Sequence, residues 1–194
     1  MKKESAVKDT VILMVKLGII CIIVAGLLGY INSITEPIIE DNYAATVEKA
    51  MSEVLNSDKY DEVEVNFEPE ESGVYVVSAY KAGNKGYVIN TGCSEGYGGD
   101  IVVMVGVKPD YTVNKIKIMS LSETAGLGMK SNTPEFMGQY DGLKAKIGVE
   151  KNNGGNPENN TISAISGATI TSKAVTKAVN CALETAEKIG GGAQ

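Results

Sequence analysis

The chain has 194 residues, a net charge of −6, 43% hydrophobic residues and neither histidine nor tryptophan. The acidic balance argues against a nucleic-acid partner, since neutralising a phosphate backbone takes clustered Lys and Arg. The missing histidines remove His-based triads, most zinc sites and ordinary imidazole base chemistry, so any redox or transfer chemistry must come from a bound cofactor.

The first element is also the strongest physical signal. "VILMVKLGIICIIVAGLLGYINSIT", Val11 to Thr35, is charge-free from Leu17 until Glu36. That length covers a hydrocarbon core of roughly 30 Å at about 1.5 Å per residue. A cleaved signal peptide is the alternative, but the run is long for an h-region and no small-x-small site precedes Glu36. Lys2, Lys3, Lys8 and Lys16 open or precede the span, while Glu36, Glu40 and Asp41 follow it, with no Lys or Arg before Lys49. The positive-inside rule then places the N-terminus in the cytoplasm and the remainder outside. Pro37 is expected to end or kink the helix.

A second helical stripe follows, with Ile39, Tyr43, Val47, Ala50, Met51 and Val54 on one side and acidic residues between them. Strand-like runs come next at Val63–Phe67, Val74–Ala79, Gly86–Thr91, Ile101–Val107 and Thr112–Met119. "KPDY" and "KAGNKG" supply turns. After the polar loop 152–160, "TISAIS" reads as a last strand, and Ile170–Ile189 reads as an amphipathic helix with Ile170, Ala174, Ala178, Ala182 and Ala186 on its buried face. The fold class is α+β, a single membrane helix followed by a mixed domain. The cysteines, Cys21, Cys93 and Cys181, show no CxxC spacing, so no metal centre is expected; Cys93 and Cys181 read as free thiols or a pair.

Three stretches of small residues could carry chemistry. In "EGYGGDIVVMVGV", Gly96, Gly98 and Gly99 suit a tight turn, and equally a flat ligand resting on the backbone beside Tyr97. In "SLSETAGLGMK", Gly126 and Gly128 flank Leu127, with Glu123 and Thr124 alongside. Leu127 either plugs the core or forms a shelf for an aromatic ring whose polar edge bonds Glu123 and Thr124. In "SGATITS", Ser166, Thr169, Thr171 and Ser172 crowd the start of the last helix, with Gly167 and Ala168 leaving room for a phosphate at the helix N-terminus. One hydroxyl could be a plain cap; four exceed that need.

Taken together, the single anchor ending in "NSITEP", then "GYGGDIVVMVGV", "SETAGLG" and "SGATITS" in that order, resemble RnfG, the FMN-binding subunit of the Rnf electron-transport complex, related to the NqrC subunit of the sodium-pumping NADH:quinone reductase. The resemblance implies an electron-transfer subunit of a membrane ferredoxin:NAD oxidoreductase that couples electron flow to ion translocation. It implies FMN attached as a phosphoester to Thr169 by a separate flavin transferase that uses FAD. Ser166, Gly167, Ala168 and Thr171 would accompany that link, and Glu123, Thr124, Gly126, Leu127 and Gly128 would border the isoalloxazine, with Tyr97, Gly98 and Gly99 near it. Partners implied are the other Rnf subunits, the transferase and membrane lipid. The chain departs from the family pattern at Ser163, where Asp is usual, and at Ala125, where Pro is usual. The organisation expected is a cytoplasmic 1–10, a span at 11–35, a juxtamembrane helix at 36–60, an extracytoplasmic FMN-binding domain at 61–189 and a tail at 190–194. An anchored binding module without redox chemistry is a rival reading. So is a stand-alone flavoenzyme using Tyr97 or Lys130 as proton donor.

Overall fold

The computed structural model describes residues 2–66, 68–152 and 154–191, without the side chains of residues 2–11 and 37–42. The chain divides into two compact units, Met1–Val47 and Glu48–Gln194.

All described residues of the first unit are helical, and their helix, α1 (Lys2–Val54), continues into the second. Within it Ile12–Glu36, with a mean hydropathy of 2.6, is long and apolar enough to cross a membrane. The helix runs on through Pro37 instead of ending there. Just before Pro37, which cannot donate to the carbonyl of Ser33, the hydroxyls of Ser33 and Thr35 bond back to the carbonyls of Tyr30 and Ile31.

The second unit is built on an antiparallel sheet of five strands: β1 (Asp61–Glu62), β2 (Val74–Lys81), β3 (Tyr87–Cys93), β4 (Ile101–Val107) and β5 (Val113–Ser120), in that order. The expected strand at Val63–Phe67 shrinks to β1. Val63 adds one ladder bond to the carbonyl of Ala79, and Phe67 lies outside the described residues. The central strands are apolar on both faces because both are covered. One face carries Ile89, Cys93, Ile101, Val103 and Val105 and packs against α3 (Thr169–Gly191), where Val175, Ala178, Val179 and Ala182 are fully buried. Thr91 sits among them and donates from Oγ1 to the carbonyl of Ala178 at 2.8 Å.

Alternation sends Val88, Met104 and Gly106 to the other face, against the last turn of α1. There Ala50, Met51 and Val54 of the predicted stripe are buried together with Leu55, whereas Tyr43 of the same stripe is 47% exposed. Gly106 is needed at this crossing, since a Cβ there would lie 2.3 Å from the carbonyl oxygen of Val54. The same oxygen accepts from Asn114 Nδ2 at 2.6 Å.

Between β5 and α3 lie several short elements, of which only the strand within "TISAIS" is announced by the sequence. Gly128–Asn132 is a 3-10 turn, Pro134–Met137 is the short α2, and Gly138–Tyr140 is a second 3-10 turn. α2 has Thr133 as N-cap and Pro at its start. β6 (Gly148–Glu150) and β7 (Thr161–Ser163) form a separate parallel pair, and β7 feeds the turn that opens α3. Tyr140 is fully buried, edge-on to Phe136, with its hydroxyl 2.8 Å from Thr176 Oγ1. Burial pushes its phenol far above the ordinary tyrosine range, so it stays a neutral hydrogen-bonding group. At the C-terminus helix continues to Gly191, so the tail expected from 190 falls mostly outside the described residues.

Candidate functional site

Three loops from different parts of the chain meet at one end of the sheet. Residues 96–99 connect β3 to β4, residues 121–128 leave β5, and residues 164–168 lead from β7 into α3. Together they enclose a cavity of about 510 Å³ lined by Tyr97, Glu123, Thr124, Leu127, Gly128, Gly167, Ala168, Thr169, Ile170 and Thr171.

Glycines let the loops approach this closely. A Cβ on Gly98 would lie 1.9 Å from the carbonyl oxygen of Ser122, so the first two loops touch backbone to backbone. Glu123 fastens them: its Oε1 accepts the N–H of Tyr97 at 2.8 Å and of Gly98 at 3.3 Å. Gly128 is buried at the next contact, where a Cβ would lie 2.6 Å from Glu123 Oε2 and 2.8 Å from Thr171 Oγ1. The third loop closes on Leu127, whose Cδ2 is 3.2 Å from the position a Cβ on Gly167 would take.

The start of α3 supplies the polar wall. Ala168 donates its N–H to the carbonyl of Ile165 at 2.9 Å, and its own carbonyl accepts the N–H of Ser172 at 3.0 Å. Ala168 thus stands at the N-cap with only a methyl group, so its side chain satisfies none of the first-turn N–H groups of Thr169, Ile170 and Thr171. These three residues all line the cavity, which therefore meets the positive end of the helix dipole. The four hydroxyls of the motif separate by role. Thr169 is half-buried on the cavity wall, Thr171 is buried against Gly128, Ser172 is buried behind the turn, and Ser166 faces away.

Most of the residues singled out from sequence come together here. Gly98, Gly99 and Gly126 shape loops without lining the cavity; Gly99 and Gly126 have φ of 130° and 78°. Ser166 and Lys130 instead line an adjoining cavity of about 630 Å³ with Gln139, Ser163 and Ile165, so of the two proton-donor candidates only Tyr97 reaches the first. At the site, Ile170 departs from the sequence expectation. It fits the buried face of the helix by spacing, yet it is 54% exposed, because the first turn of α3 lines the cavity. Tyr97 and Leu127, at 71% and 43% exposed, give the cavity two further apolar edges.

The surrounding electrostatics are structural. Lys177 on α3 bridges Glu95 at 2.9 Å and Glu71 at 3.1 Å, and bonding to Glu95 and then Glu71 raises its pKa, securing the loop after β3 to the helix. Cys93 and Cys181 are free, buried thiols, and burial pushes Cys181 up to about 11. Among the described residues no group of three or more His, Cys, Asp or Glu side chains is placed to hold a metal ion.

A cavity that opens onto a helix N-terminus suits a phosphate-bearing ligand, and residues 96–184 match the family of FMN-binding domains. The chain belongs to the RnfG family, one of the subunit families of ion-translocating ferredoxin:NAD oxidoreductase complexes. It is 35% identical over 179 residues to the family's member in the proton-translocating ferredoxin:NAD(+) oxidoreductase complex of Clostridium ljungdahlii, covering 91% of each chain. It is 32% identical over 186 residues to the counterpart in the Na(+)-translocating complex of Acetobacterium woodii, covering 87% of this chain and 89% of that one. The member from the ion-translocating oxidoreductase complex of Methanosarcina acetivorans is 33% identical over 184 residues, covering 91% and 94%. Among solved structures, NqrC of Shewanella oneidensis shares the fold, with a TM-score of 0.51 over 58% of each chain at 19% identity.

The residues present fit FMN. Leu127 and Ile170 offer apolar surface to a ring, and the N-terminus of α3 offers N–H groups to a phosphate.

Proposed function

We propose that this chain is the flavin-bearing electron-transfer subunit of an ion-translocating ferredoxin:NAD oxidoreductase complex, held in the membrane by its apolar helix. The observation that carries the reading is Thr169, the first residue of α3, on the wall of a cavity whose helix N-terminus lacks a side-chain cap. FMN supplies the capacity to exchange electrons one or two at a time. The protein's own residues bind, orient and shelter it. The N–H groups of Thr169, Ile170 and Thr171 suit the phosphate, Leu127 and Ile170 suit the ring, and the glycine contacts hold the loops at fixed separation.

Thr169 carries the flavin as a phosphoester. In the attachment its Oγ forms a bond to the FMN phosphorus of FAD, the phosphoanhydride breaks, AMP leaves, and the hydroxyl proton is released. Oxidation states do not change. A threonine hydroxyl needs a base for this, and a chain without histidine leaves that base to an FAD-dependent flavin transferase. The lysines before the span and the acidic residues after it orient the folded domain outside the cytoplasm. There a covalent link keeps a cofactor that no surrounding pool would replace. The remaining subunits of the complex are its electron donors and acceptors.

Peptide mapping of the denatured protein, produced with and without a flavin transferase, tests the assignment. Wild type should carry flavin mass on the Thr169 peptide, and Thr169→Val should fold and carry none. Flavin retained by that variant, or mapped to Ser166, would overturn it.

A further inference from the structure

We propose that Ser172 is a positioning residue for flavin attachment, fixing from within the core the turn that presents Thr169. The inference rests on the reading of Thr169 as the attachment residue. Ser172 is 0% exposed and so lies beyond direct reach of cofactor or transferase. Its Oγ accepts the N–H of Ile165 at 2.9 Å and donates to the carbonyl of Ala168 at 3.0 Å. These two groups are the ends of the turn Ile165–Ala168, itself closed by Ala168 N–H to Ile165 carbonyl at 2.9 Å and bent by Gly167 at φ 81°. One hydroxyl therefore ties both ends of the loop from which Thr169 departs.

The placement also explains how a helix can open on alanine. A capping hydroxyl at the N-cap would occupy a first-turn N–H and stand where a phosphate must go. Here the tying group sits in the helix, three residues after Thr169, and bonds backward to the turn, leaving the N–H groups of Thr169–Thr171 available. Ser172 is in turn held from behind: Thr176 Oγ1 donates to the carbonyl of Ser172 at 2.9 Å, and Tyr140 pairs with Thr176. The backbone from which Thr169 departs is thus preset before any transferase arrives, which lowers the orientational cost of the bond-forming step.

The test uses the full chain in detergent, purified without flavin, with a flavin transferase and FAD. Ser172→Ala should attach flavin about tenfold more slowly at saturating FAD, the factor expected for one buried hydrogen-bonded group left without its partner. The apparent KM for FAD should not move, because Ser172 touches neither enzyme nor nucleotide. Ser172→Thr, which restores the hydroxyl, should recover the rate. Ser172→Cys keeps the volume but bonds weakly, and should be slow with a Tm near that of wild type, which separates positioning from packing. Wild-type rates in both the Ala and Cys variants would overturn the role of Ser172 while leaving Thr169 intact. A wild-type chain that gains no covalent flavin, like Thr169→Val beside it, would overturn the attachment reading and this inference with it.

Discussion

Gly128→Ala places a methyl group in the cavity wall, where the 121–128 loop meets the first turn of α3. The new Cβ would lie 2.6 Å from Glu123 Oε2, 2.8 Å from Glu123 Cβ and 2.8 Å from Thr171 Oγ1. Comfortable contacts are about 3.5–4.0 Å, so residue 128 must back away from Thr171 and Glu123 must move by about 1 Å. Thr171 is 1% exposed on the first turn of α3 and has nowhere to go, so Glu123 yields. Its Oε1 then releases the N–H groups of Tyr97 and Gly98, and the 96–99 loop loses its tether. Overpacking of this kind costs about 1–3 kcal/mol, or about 5- to 150-fold in the population of the native cavity shape. Because the released N–H groups are on an exposed loop, water replaces Glu123 as their acceptor and the damage stays local. The midpoint potential and fluorescence of the bound flavin should both change, while the Tm falls by about 2–4 °C per kcal/mol. An unchanged midpoint and an unchanged Tm together would mean that the wall has slack, and that the glycine contacts do not set the geometry of the site.

Gly106→Ala should be the complementary case, with a Tm loss of several degrees and an unperturbed flavin midpoint, since its Cβ would meet the carbonyl of Val54 at 2.3 Å on the far side of the sheet. A midpoint shift without thermal destabilisation would refute that separation. Leu127→Asp should lower the flavin midpoint in a redox titration, because a carboxylate on the cavity edge raises the cost of the anionic reduced forms; no shift would mean that Leu127 only packs against Gly167. Cys93 and Cys181 should resist alkylation at pH 8 until denaturant is added, and rapid native labelling would show that the core opens. With Cys181 pushed from about 9 to about 11 by burial, the unfolded chain ionises first, so the stability this neutral thiol contributes is complete below pH 9 and lost as pH rises through 11; a flat urea midpoint for wild type relative to Cys181→Ala over that range would contradict it.

Features that depend on composition and local period are legible in the chain alone. The apolar helix, the central strands β3 and β4, the long α3 and the order of the three small-residue motifs all rest on runs or periodicities that a chain carries without its tertiary partners. Weak strands and short turns are different. β1 is two residues long and exists because β2 offers an edge, the second 3-10 turn is held by contacts such as Tyr140 with Thr176 that no local window contains, and β7, legible within "TISAIS", finds its parallel partner β6 only in the packed chain. The site divides in the same way. Its residue types were legible, because glycines, hydroxyls and a helix start are local signals. Which wall each residue occupies was not. Ile170 satisfies the buried period yet faces the cavity, Ser166 belongs to the "SGATITS" motif yet turns to the neighbouring cavity, and Ser172 looks like one more cap yet ties the turn from behind. Those distinctions depend on which loops meet the first turn of α3 and on which backbone groups the turn brings within about 3 Å of a hydroxyl, distances that only the packed chain fixes.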